Sequence, residues 1–228
     1  MKHSSTYGVA LIAGSLGGIV TMIFHPTGHD LLAQADQVAR RNETITVASH
    51  SLALASIPVL LFGFSGLSRR LGWDRPPTRA AFIAYAFGAA AAMCATVING
   101  LAGPVLTRQI LSADEPARQV LNAVLLNNTM LNQAFSKIFA AASSAGIALW
   151  SVSILESRRF ARSVGILGCV VGAAGLVGLL TGHLRMNVHG FGLLVFAESV
   201  WAIVLGIFLC RRDDSLTLSA PKESGRSR

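Results

Sequence analysis

Six apolar runs of about 20 residues recur along this chain, and a run of that length crosses roughly 30 Å of hydrocarbon as a helix. No other feature narrows the fold as far. The residue balance agrees, with 52% hydrophobic and 13% charged, where a soluble domain carries about 25% charged residues. The reading is an all-α polytopic membrane protein with six transmembrane helices in one bundle over residues 1–212. The spans fall near 7–24, 45–67, 79–103, 134–155, 160–182 and 188–210.

Local signals place the breaks. Pro26 removes a backbone donor and restricts His25, closing the first helix, and Pro76-Pro77-Thr78 precede the third. Residues from Pro116 to Leu155 can be helical throughout, which is too long for one crossing. The crossing is therefore placed at 134–155 and an interfacial extension at 116–133. A second interfacial segment, 27–42, has a capping signal in Thr27-x-x-Asp30 and an apolar stripe of Leu31, Leu32, Ala35, Val38 and Ala39. Residues 213–228 are polar and expected to be disordered. The first run has only Lys2 ahead of its apolar stretch and no small-x-small site, so it reads as a retained helix rather than a cleaved leader.

The formal charge of +8 is a matter of sides. Threaded through six crossings, 13 of the 19 Lys and Arg residues fall on the side of the N-terminus, among them Arg69, Arg70, Arg158 and Arg159. By the positive-inside rule both termini are cytoplasmic. The basic residues lack interleaved aromatics, so the charge does not indicate nucleic-acid binding. Cys94, Cys169 and Cys210 sit in apolar runs with no CxxC, and no disulfide framework is expected. Helix–helix recognition in lipid relies on small residues. Gly14 and Gly18 in the first helix and Gly165, Gly168, Gly172 and Gly175 in the fifth are expected packing faces, available also to a second copy or another membrane partner.

The polar residues within or beside the spans are few. His25, His50, His183 and His189 all fall at the outer ends of helices, and imidazole ligates zinc, copper, nickel and iron. They form a candidate outer-leaflet set for a metal ion or haem, with Asp30 and Glu43 as carboxylates that orient or complete it. The same histidines can instead cap helix ends. Glu198 lies near the middle of the sixth helix, where an ionisable group is costly unless paired or protonated. Nine residues, half a turn, separate it from His189, so a partner must come from another helix. Asn99 and Lys137 are the expected partners. Asn132, in line with Asn128 and Ser136 at i, i+4, i+8, adds a polar stripe on the fourth helix. GxSxG, GxxxxGK[ST], HExxH and CxxCH are all absent from the sequence.

His25-Pro26, Asp30, Asp36, Ala48-Ser49-His50, Gly66 and Arg69-Arg70 together resemble a pattern in bacterial multi-helix membrane proteins that have no assigned activity. The resemblance covers the first third of the chain and implies a bacterial inner-membrane setting. Membrane hydrolases of the ceramidase and adiponectin-receptor type also use histidines to hold zinc, but they have seven helices and a His-x3-His on the last, which this chain lacks. Three function classes stay open: a histidine site at the outer leaflet holding metal or haem, a small-solute or proton-coupled transporter using Glu198, and a structural or assembly protein without chemistry.

Overall fold

The computed structural model describes residues 3–25 and 36–211, with side chains over 5–25 and 43–211. The described chain is all helical: α1 His3–Ile23, α2 Asp36–Leu71, α3 Pro76–Val97, α4 Gly103–Ser112, α5 Glu115–Ser157, α6 Arg162–Leu180 and α7 Val188–Cys210. A π-helical turn, Ile98–Ala102, joins α3 to α4. Counting that joined rod once, six helices are long and apolar enough to cross a membrane. Residues 27–35 of the expected interfacial segment, with Asp30, and the tail 213–228 lie outside the described residues.

Several helix ends follow from ordinary capping chemistry. Asp114 accepts a hydrogen bond from Ala117 N at 3.1 Å, and Pro116 occupies the first turn of α5, where its missing N–H is no loss. Asn187 caps α7 by accepting from Gly190 N at 2.8 Å. α5 stops where Arg158 takes a left-handed φ of 52°. At 43 residues α5 is about 65 Å long, roughly twice a bilayer core. Its buried positions begin only at Ser136, and the preceding turns are exposed.

Two helices run further than hydropathy alone indicates. α2 begins at Asp36 rather than near residue 45, because Asp36 to Thr44 can continue a helix in water as well as in lipid. The third span does not end at Gly103-Pro104. Pro104 falls in the first turn of α4, and the wider π turn before it takes up the change of register.

The helices form a closed ring in the order α2, α1, α7, α6, α5, α3. α1 lies in long contact with α2 and α7, and α5 in long contact with α3 and α6. The junctions between the two trios, α2 with α3 and α6 with α7, are shorter, and α5 touches α2 and α7 across the middle. Close contact within a trio rests on glycine. Gly14 and Gly17 of α1 face Leu60 and Ser56 of α2, and Gly63 and Gly66 answer with Leu11 and Tyr7. Gly8 and Gly206 bring α1 and α7 backbone to backbone. Gly172 does the same for α6 on α5, against Ser144 O and Ala148 N, while Gly165, Gly168 and Gly175 make room for the side chains of Leu155, Ser151 and Ser144. Backbone approach of this kind supplies the van der Waals contact that lipid cannot drive by exclusion.

Around the ring the contacts run close, loose, close for α1/α2, α2/α3 and α3/α5. The same order repeats for α5/α6, α6/α7 and α7/α1. The helices thus follow one another around the ring in chain order, each beside its predecessor, as in an up-and-down bundle.

Between the trios sits an aromatic cluster. Phe64 of α2 stacks on Trp150 of α5 at 4.6 Å between centroids, and Tyr85 of α3 and Trp201 of α7 close around them. Trp150 Nε1 donates to Ser68 Oγ at 2.9 Å and Trp201 Nε1 to Val164 O at 3.1 Å, so each buried indole has its partner across the boundary.

Candidate functional site

Two polar regions lie between the helices, one at the His25 end of the bundle and one at its centre. At the His25 end, His50 is 4% exposed in α2. Its Nδ1 lies 2.8 Å from Thr46 O, a carbonyl that can only accept, so Nδ1 carries the proton. Nε2 is then the acceptor, 3.3 Å from Asn99 Nδ2 in the π turn. Thr21 of α1 donates to Ser49 O at 3.2 Å, and the His25 ring lies 4.9 Å from that of His50. Nearer the helix ends, Arg108 of α4 meets Glu43 of α2 at 3.4 Å.

The π turn is what makes this cluster fit. It presents Asn99 to His50 and puts Gly100 directly against the imidazole. A methyl group at Gly100 would overlap His50 Cβ and Cγ. Gly100→Ala is therefore expected to displace the ring, break the Asn99 and Thr46 contacts and destabilise the protein by about 1–3 kcal/mol, the range for overpacking. Thermal unfolding in detergent reads this, and an unchanged melting temperature would contradict the packing.

The four histidines of the sequence analysis do not gather into one cluster. His25 and His50 touch. His189 is exposed and shares with His25 an open groove of about 380 Å³ between α1 and α7, lined also by Met22 and Phe196. His183 is exposed and bonds Thr181 Oγ1 at 2.9 Å. Among the described residues, no three of His, Cys, Asp and Glu come together as a metal-binding group. Glu43 is engaged by Arg108 rather than by a histidine.

The central region is built on Glu198, which is 7% exposed in the middle of α7. Its partners are neither Asn99, which serves His50, nor Lys137, which is exposed on α5. They are Ser143 and Ser144 of α5, whose hydroxyls donate to Glu198 Oε1 at 2.8 and 3.3 Å. The two bonds cross from one helix trio to the other. Asn132 is half-buried on the same helix, and its neighbour Gln133 donates to Met186 O at 3.0 Å, fixing α5 to the turn before α7.

Beside Glu198 is a partly open cavity of about 50 Å³. Ser15 of α1, Tyr85 of α3 and Ser199 of α7 line it with Glu198, and the rest of its wall is apolar or glycine. No lysine, arginine or histidine is among the lining residues. Ser15 is 1% exposed, and its Oγ has no hydrogen-bond partner. Both serine bonds fall on Oε1 of Glu198. Sequence reasoning named Glu198 but missed Ser15, Ser143 and Ser144, because serine among alanines reads as a packing residue.

Comparison with family models, with curated proteins and with solved structures finds no match to this chain.

Proposed function

We propose that this protein is a small proton-coupled transporter of the bacterial inner membrane, with both termini cytoplasmic and Glu198 as the group that carries the coupled charge. The observation that supports this most is the position of Glu198. An intramembrane carboxyl group hydrogen-bonds across the boundary between two helix trios, beside a cavity that no basic side chain reaches. Ionisable groups inside a membrane bundle are retained against their desolvation cost chiefly where they handle ions or protons. The division into two closely packed trios joined by looser junctions adds to it, since alternating access commonly works by moving one part of a bundle against another around a central site.

The mechanism follows from the bonds. With Glu198 protonated, the acid is neutral, Oε1 accepts from Ser143 and Ser144, and the trios are held together at mid-depth. Release of the proton leaves a carboxylate that apolar surroundings do not stabilise, favouring an arrangement in which water reaches the group. The glycine seams keep each trio rigid, so the looser junctions, α2/α3 and α6/α7, are where the movement is taken up. The test is proton flux in proteoliposomes driven by a pH gradient, followed with an internal pH-sensitive dye, together with proton-driven uptake of candidate small solutes.

The contact of His25 with His50 supports a second reading, a metal or haem site at that end. Both ring nitrogens of His50 are already engaged, so ligation would break one of its hydrogen bonds. Metal analysis and a visible spectrum of purified protein test it. A near-stoichiometric metal or haem lost in a His25→Ala/His50→Ala double variant would move the functional site there.

A further inference from the structure

We infer that the central cavity is a binding site for one monovalent cation of sodium size, held by Glu198 with the hydroxyl of Ser15. This rests on the transport reading and adds, at that same carboxylate, a sodium ion that competes with the proton. Three observations converge on it.

The first is charge. Glu198 has no basic partner among the described residues, whose ion pairs lie towards the helix ends, as Arg79 with Asp74, Arg108 with Glu43 and Arg118 with Glu115. A buried carboxylate needs one compensating positive charge. A monovalent cation leaves the site neutral, whereas a divalent ion would leave a net charge of one buried in apolar surroundings.

The second is the donor set. Carboxylate and hydroxyl oxygens are hard ligands that suit alkali and alkaline-earth ions, not the softer metals that imidazole and thiolate select. Ser143 and Ser144 donate to Oε1, which leaves Oε2 without a serine donor on a residue that lines the cavity. Ser15 is the independent indication. Its Oγ is buried, lines the cavity and has no hydrogen-bond partner, although α1 places it opposite the carboxylate-bearing helix α7. A buried hydroxyl without a partner is costly. A cation in the cavity accepts electron density from the carboxylate and gives the Ser15 hydroxyl a partner at once.

The third is size. A space of about 50 Å³ admits one or two water-sized guests and excludes an organic solute. Sodium, or sodium with one water, fits that volume. Potassium needs longer bonds to each oxygen.

The experiment uses the full chain in lipid nanodiscs. Melting temperature is followed in sodium, potassium and choline chloride at equal ionic strength, with radioactive sodium binding measured on the same samples. The expected result is a saturable rise specific to sodium and binding near one ion per chain, because a ligand that binds only the folded state stabilises it in proportion to its occupancy. Glu198→Gln is expected to abolish both signals. Ser15→Ala is expected to weaken sodium binding at least about tenfold, the equivalent of about 1.4 kcal/mol. A folded wild-type protein that binds no sodium, or that responds alike to all three salts, overturns the inference. Sodium binding that survives Glu198→Gln also overturns it. Proton flux in proteoliposomes separates the two levels: flux without sodium binding leaves the transport reading standing with the proton as the ion, and the loss of both removes the two together.

Discussion

Glu198→Gln is expected to reduce proton flux in proteoliposomes to the level of protein-free vesicles while the protein still folds. The two halves of this result have separate causes. Glutamine has the same shape as the neutral acid, and its carbonyl oxygen can accept from Ser143 and Ser144 as Oε1 does now. Unfolding stability is therefore expected to change by no more than about 1 kcal/mol, the scale of one altered hydrogen bond. What glutamine cannot do is release a proton. The bundle centre then has no group whose charge changes, and a pH gradient has nothing to act on at mid-membrane. Glu115→Gln is the control, because Glu115 is exposed at the start of α5, where its partners are Arg118 and Gln119 on the same helix. Its flux should match wild type. Flux retained in a folded Glu198→Gln protein would remove the carboxyl group from the mechanism and leave Glu198 as a structural hydrogen-bond acceptor.

The helical class and the six long apolar helices were legible in the sequence, because length and hydropathy are read one segment at a time. Partner choice was not. Asn99 was expected near Glu198 on polarity, yet the π turn at Ile98–Ala102 commits it to His50, and no hydropathy pattern signals such a turn. Lys137 was expected as a counter-charge, but it stands on the exposed face of α5. Depth would have served better than polarity. Glu198 lies near the middle of α7, and Ser143 and Ser144 near the middle of the buried part of α5, so matching residues at the same level would have paired them. The gathering of histidines was inferred from a shared membrane level, a weaker constraint than a shared helix face. His183 lies at the same end as His25 but bonds Thr181 instead.

Gly172→Ala should show whether glycine fixes the seams that make each trio a rigid unit. A methyl group at Gly172 would lie 2.6 Å from Ser144 O and 2.9 Å from Ala148 N. Both are backbone atoms of α5, so no side chain can swing aside and the helices themselves must part. Overpacking of this kind costs about 1–3 kcal/mol, and here it falls on the residue that also donates to Glu198. The expected outcome is a clear drop in melting temperature in detergent, with weakened flux because Ser144 is displaced from the carboxyl group. Gly103→Ala supplies the opposite sign. Its methyl group would meet only Ile98 O, at an ordinary 3.6 Å, and alanine is the better helix former by about 1 kcal/mol. That variant should melt at or above wild type. If the two substitutions shift melting equally, the α5/α6 seam is not set by backbone approach, and a rigid α3/α5/α6 trio loses its physical basis. If Gly172→Ala alone is destabilising and also slows proton flux, the packing of α6 and the charge handling of Glu198 are coupled through Ser144, as a structure that moves its halves as units requires.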